Sequence, residues 1–165
     1  MQVRGLNHVA YRCRDAKETA DFYTGVLGMK LAHVITQDRV PSTQEYAPHC
    51  HLFFEMGDGS WVAFFDMADE PVVDQEKNRD WAQHLAMEVW STDALEAARL
   101  NLLAHDVEVL GPVDHGFLQS IYFYDPSGHR LELTARTVKP GELDDYAASA
   151  SAELDEWSRA KAAMA

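Results

Sequence analysis

Apolar and polar residues alternate over residues 6 to 12 (LNHVAYR), the two-residue period of a strand with one covered face. The next run, DAKETADFYTGVLG, changes to helical spacing, with Ala20, Tyr23, Val26 and Leu27 on one broad face and Gly28 as a stop. A polar, Pro-containing stretch from Gln37 to Pro48 reads as an irregular or edge segment. Two aromatic-rich runs, HLFFEM and WVAFFD, then flank Gly57-Asp58-Gly59, which predicts a hairpin. A charged connection runs from Met67 to Asp80. After it, WAQHLAMEV has strand character and Ser91 to Ala104 helical character, with Asp93 and Glu96 at capping-box spacing and Leu95, Ala98 and Leu102 as the apolar stripe. The segment PGELDDYAASASAELDEWSRAKAAMA predicts a long C-terminal helix, in which Leu143, Tyr146, Ala147, Ala150, Leu154 and Trp157 line one side.

The strand-helix opening occurs twice. Placing His8 on His84 gives an offset of 76 residues and also superposes Leu27 on Leu103. The hairpins GDGSWVAFF and PSGHRLELT align through Gly59 and Gly128 at an offset of 69, which sets Ala63 opposite Glu132. The expected organisation is one α+β domain over residues 1–136, built from two like modules (about 1–68 and 80–136). A C-terminal helical extension spans 140–165.

Length and charge narrow the partners. A chain of 165 residues buries roughly 70% of its extended surface in a core of its own. The formal charge of −13 and the absence of a basic stripe disfavour nucleic acid and anionic membrane surfaces as partners. Two cysteines, Cys13 and Cys50, are too few for a disulfide scaffold and fit a reducing compartment. The N-terminus enters strand pattern directly, without a basic leader or a spanning segment, so the expected location is cytoplasmic. The C-terminal stripe covers either its own domain or a symmetry mate, and a homodimer or higher homo-oligomer is expected.

His8, His84 and Glu132 occupy related strand positions. Singly, each is an ordinary strand residue; together, on modules that face each other, they are two imidazoles and a carboxylate able to occupy one face of an octahedral metal. The second hairpin, IYFYDPSGHRLEL, turns at Asp125-Pro126-Ser127-Gly128. A regular register about that turn puts Tyr122 opposite Glu132 and Tyr124 opposite Arg130, with Phe123, Leu131 and Leu133 on the covered face.

This two-module pattern resembles the vicinal oxygen chelate superfamily over residues 1 to about 136, which implies paired βαβββ modules forming a curved sheet around a metal site. The segment Val113-Asp114-His115, five residues, then Ile121 to Glu132 resembles the extradiol dioxygenase signature at every defined position. The resemblance implies Glu132 as the iron carboxylate, His8 and His84 as the iron imidazoles, Tyr122 as a phenol beside the metal and His115 as a histidine directed at substrate. It implies Fe(II), or alternatively Mn(II), Ni(II) or Zn(II), with a small aromatic, catechol-like substrate and O₂. The alternatives are a metal-dependent glyoxalase-like or thiol-transfer enzyme and a non-catalytic aromatic-ligand binding or resistance protein. Glyoxalase-like members place a fourth ligand on the first hairpin, where Ala63 cannot ligate. Ring-cleavage enzymes carry an acid/base histidine near Ser60-Trp61, where this sequence has none; His49, His51 and His115 are the substitutes to consider.

Overall fold

The structure is a computed structural model, and it describes residues 2–69 and 81–164. The elements run β1 (His8–Arg12), α1 (Ala16–Asp21) continued by a π-helical turn (Phe22–Val26), β2 (Lys30–Arg39), β3 (Tyr46–Glu55) and β4 (Trp61–Met67). A second set follows: β5 (Leu85–Glu88), α2 (Thr92–Ala104), β6 (Leu110–Asp114), β7 (Leu118–Tyr124), β8 (Arg130–Arg136) and finally α3 (Glu142–Met164). The two sheets have the same order, β1-β4-β3-β2 and β5-β8-β7-β6, with the first and last strand of each module parallel. The expected α+β architecture of two βαβββ units is therefore the observed one. Most of the connection from Met67 to Asp80 lies outside the described residues.

Alternation decides which side of each sheet is covered. Phe54, Val62 and Phe64 of the first sheet and Ile121, Phe123, Leu131 and Leu133 of the second are buried, together with Tyr23 of the π-turn and Leu95 and Leu102 of α2, in one continuous core. The opposite strand faces carry His51, Phe53 and Ala63 on the first sheet and Ser120, Tyr122 and Glu132 on the second.

Three local readings are corrected. Residues 30–39 form a full edge strand, β2, which takes in the first three residues of the segment read as irregular or edge. The break is confined to the turn between Arg39 and Tyr46, which joins β2 to β3. Helix α2 is capped by Ser91, whose hydroxyl accepts from the Ala94 amide. Asp93 lies within the first turn, and Glu96 pairs with Arg99 instead of closing a capping box. The strand read from Trp81 is shorter and begins at Leu85. The C-terminal helix is present as α3, but none of its residues is buried. Its described aromatic contact with the body is Tyr146 on Phe117, with ring centroids 6.0 Å apart.

The modules are joined on their core side. The fully buried Tyr23 hydroxyl donates to Asp125 Oδ2 at 3.2 Å, and His129 Nε2 meets the Arg12 carbonyl at 2.7 Å. Asp125 Oδ1 also accepts the amides of Ser127 and His129, so the β7–β8 turn is shaped by the same carboxylate that fastens the two halves. Burial raises the pKa of Asp125 and the neighbouring His129 opposes that rise.

Candidate functional site

The second sheet assembles four of the residues expected at the site. Strand pairing places Tyr122 opposite Glu132 and Tyr124 opposite Arg130, and the Gly128 amide closes the turn on the Asp125 carbonyl at 2.9 Å. His84, immediately before β5, extends the pairing that sets Ala86 beside Glu132. Its Nε2 lies 2.8 Å from Glu132 Oε2. The carboxylate is 4% exposed, an environment that requires every lone pair to have a partner. Its second oxygen, Oε1, accepts the Ser120 hydroxyl at 2.5 Å, and Ser120 Oγ lies 3.0 Å from Thr134 Oγ1. Glu132 is thus oriented by a serine while its other oxygen is directed at an imidazole.

Tyr122 lines the same face. Its ring stands edge-on to His84 at 5.8 Å, and the Arg130 guanidinium lies over it at 4.6 Å. The phenol oxygen is hydrogen bonded to His115 Nε2 at 2.8 Å. Partial burial and the nearby Glu132 carboxylate raise the pKa of Tyr122, so it keeps its proton and is available as a donor. His115 is exposed at the outer end of this chain, held on the β6–β7 turn.

His8 is not part of the group. Its Nδ1 pairs with Asn7 Oδ1 at 2.7 Å, and its ring stands edge-on to Phe53 at 5.9 Å on the first sheet. The Asn7 contact engages Nδ1, and Nε2 is the ring nitrogen left to meet a ligand. Among the described residues, no three His, Cys, Asp or Glu side chains lie close enough together to hold one ion. Within one copy His84 and Glu132 therefore lie together, and His8 does not join them. As donors the three fit a divalent ion: two neutral-capable imidazoles and a carboxylate oriented from behind.

The internal repeat holds at the level of side-chain position. Ala10 pairs with Ala63 as Ala86 pairs with Glu132, and Phe53 pairs with Ala63 as Tyr122 pairs with Glu132. The first sheet has no carboxylate at the equivalent place. Ser120 and the Arg130 cation over Tyr122 were not among the expected site residues. Ser120 lies in the undefined five-residue gap of the signature, and its only sequence signal is its even spacing from Tyr122. Of the other histidines weighed, His49 Nδ1 is taken by the Ala47 carbonyl at 2.6 Å and His51 lies among aromatic rings.

Comparison with known proteins places the fold. Residues 5–133 match the family described as the Glyoxalase/Bleomycin resistance protein/Dioxygenase superfamily. A fosfomycin resistance protein, FosX, of Mesorhizobium japonicum is 28% identical over 82% of this chain and 88% of its own length. A metallothiol transferase, FosB, of Staphylococcus epidermidis is 25% identical over 87% of this chain and 88% of its own. A putative ring-cleaving dioxygenase, MhqA, of Bacillus subtilis is 27% identical over 82% of this chain and 41% of its own. Among solved structures, the FosX of Listeria monocytogenes complexed with Mn(II) and sulfate superposes with a TM-score of 0.58 at 21% identity, covering 83% of this chain and 96% of that one. A glyoxylase/bleomycin resistance protein/dioxygenase domain from a Frankia species reaches a TM-score of 0.68 at 17% identity, covering 82% of this chain and 99% of that one. At these identities the superpositions establish the fold.

Proposed function

Because the chain belongs to the glyoxalase/bleomycin resistance protein/dioxygenase superfamily, we propose that it is a divalent-metal-dependent enzyme acting on a small oxygen-bearing substrate, with His84 and Glu132 of one copy and His8 of a second copy as its metal ligands. The observation that carries this reading is the buried Glu132, braced by Ser120 through one oxygen and set 2.8 Å from His84 Nε2 through the other. Three protein donors leave positions for substrate, and a bound divalent ion supplies Lewis acidity to a substrate oxygen. The chain's own groups do the rest. Tyr122 offers a phenol proton beside the His84–Glu132 pair, and His115 connects that phenol to solvent. When His115 Nε2–H donates to Tyr122, the Tyr122 proton is free to meet a substrate oxygen; the opposite orientation carries a proton outward.

The FosX and FosB likenesses favour Lewis-acid chemistry, such as epoxide opening or thiol transfer, over redox chemistry. A second reading, Fe(II)-dependent extradiol cleavage of a catechol-like aromatic by O₂, is favoured by the His115 to Tyr122 hydrogen bond of 2.8 Å within the ring-cleavage signature. The test is reconstitution with Mn(II), Fe(II), Ni(II) or Zn(II) under nitrogen, followed by metal analysis and two assays. These are consumption of fosfomycin with water or a thiol, and oxygen uptake with a catechol panel. Activity with Mn(II) that needs no oxygen is the expected result. Iron-restricted oxygen uptake supports the second reading instead, and equal metal content in wild type and His84→Ala overturns both.

A further inference from the structure

Helix α3 lies outside the stretch that matches the family, residues 5–133, and outside the core. No residue of it is buried, and at 1.5 Å per residue its 23 residues extend about 34 Å. Its apolar positions are ordered. Leu143, Ala150, Trp157 and Met164 recur every seven residues, and Ala147, Leu154 and Lys161 recur every seven from a start four residues later. That alternation of four and three is the seam of a helix packed lengthwise on another helix. Leu154 is 64% exposed and Trp157 58%, so the chain's own body does not cover the seam. The described aromatic contact with the body, Tyr146 on Phe117, is near the N-terminal end of the helix.

Charge is distributed unevenly along α3. Residues 142–156 carry six acidic side chains and no basic one, with Glu142, Asp144 and Asp145 in the first turn. Residues 157–164 carry Arg159 and Lys161 and no acid. This polarity suits the dipole of the helix itself, and it also decides how two copies can lie together. In a parallel pair, acid would lie along acid over most of the length. In an antiparallel pair, Lys161 of each copy comes to the acidic first turn of the other. Side-chain size gives the same answer. Running in opposite directions, the two seven-residue series face each other, so Ala147 is set against Trp157, Ala150 against Leu154, and Leu143 against the stem of Lys161. A small side chain thus meets a large one at the inner layers, where a parallel pair would stack Trp157 on Trp157 and Ala150 on Ala150. The six acids of the helix oppose its docking on an anionic membrane surface.

We propose that α3 is a self-association surface, through which two copies of the chain join as an antiparallel helix pair about a two-fold axis near Ala152. Each C-terminal end is then brought to the base of the other helix, where Tyr146 rests on Phe117. Phe117 belongs to the β6–β7 turn together with His115, so the second copy's helix end adjoins the turn that carries the His115–Tyr122 hydrogen bond. The proposal goes beyond the metal-enzyme reading and does not rest on it, since the seam involves no metal ligand.

Sedimentation equilibrium of the full chain, combined with cysteine cross-linking, tests it. Wild type should be a dimer in reversible equilibrium with monomer. Leu154→Glu sets a charge at the centre of the seam and should weaken dimerisation by about thirtyfold or more, the ordinary loss at a central apolar anchor. Ala148→Glu adds the same charge on the outer side of the helix and should leave the dimer nearly unchanged. Direction is read from Leu143→Cys and Lys161→Cys proteins, mixed to allow subunit exchange and then oxidised. The mixture should yield cross-linked dimer above the wild-type background. Leu143→Cys alone should not, because its two thiols stand about 27 Å apart along the antiparallel pair. A monomeric wild type, including one that sediments with phosphatidylcholine vesicles instead, overturns the proposal. So does a dimer that persists unchanged in Leu154→Glu, or self-cross-linking of Leu143→Cys as efficient as that of the mixture. None of these readouts uses metal content, so failure of the metal reading is separately visible as unaltered metal content in His84→Ala.

Discussion

Ser120 shows how much of a site can depend on one small side chain. It is fully buried, and its hydroxyl fixes the oxygen of Glu132 that does not face His84. Removing a group that orients a ligating carboxylate typically weakens metal binding by about 10–100-fold. Ser120→Ala should therefore lower Mn(II) affinity by that order in a calorimetric titration while leaving the folded spectrum unchanged. Tyr122 and Glu132 were legible in the sequence because they are symmetric about a Pro-Gly turn and alternation fixes their face. Ser120 was not, since a lone serine in a strand carries no period of its own.

His51 makes a pH prediction at the same scale. Its ordinary pKa near 6.5 falls to about 4 on folding, so the two states are alike above 6.5. Between those values the unfolded chain takes up a proton that the folded chain refuses, and stability falls as pH falls through the window. Asp125, with its raised pKa, acts in the opposite sense, so the contribution of His51 is read as a difference. Urea midpoints at pH 7.5, 6 and 5 should decline less steeply for His51→Phe than for wild type.

Among the elements, the hairpins and α2 follow their sequence pattern closely, because each has a covered face that imposes a period. The edge strands do not. Strand β2 is exposed along almost its whole length, so no alternation marks it, and it is held by its ladder to β3. Strand β6 is similar and contains Pro112, an edge-strand residue with no amide to offer. Gly111 is the critical position there. Its φ is +112°, and a Cβ would lie 2.7 Å from the Ser120 carbonyl oxygen. Gly111→Ala should destabilise the protein by about 2 kcal/mol or more, combining backbone strain with displacement of β7. Thermal unfolding measures that loss. A parallel fall in Mn(II) affinity would connect it to the strand that carries Ser120 and Tyr122.

For the whole molecule, the repeat indicated two modules but not whether His8 can meet the His84–Glu132 pair. His8 and the His84–Glu132 pair belong to different modules, and the modules are fastened through Tyr23, Asp125 and His129. Spacing along the chain cannot tell a site closed within one copy from a site closed between two. Mixing does. His8→Ala and Glu132→Gln proteins, each unable to hold the ion, should regain about a quarter of the wild-type metal content when unfolded together and refolded. Only the mixed dimer rebuilds a complete ligand set, and it does so at one of its two centres. Ligands supplied by a single copy would give no recovery.

The pairing of Ala10 with Ala63, where the other half pairs Ala86 with Glu132, marks a position for redesign. A carboxylate introduced at Ala63 would stand on the first sheet where Glu132 stands on the second. On the metal-enzyme reading it would compete for a coordination position otherwise left to incoming molecules. Ala63→Glu is then a one-residue step from an open centre toward a saturated one.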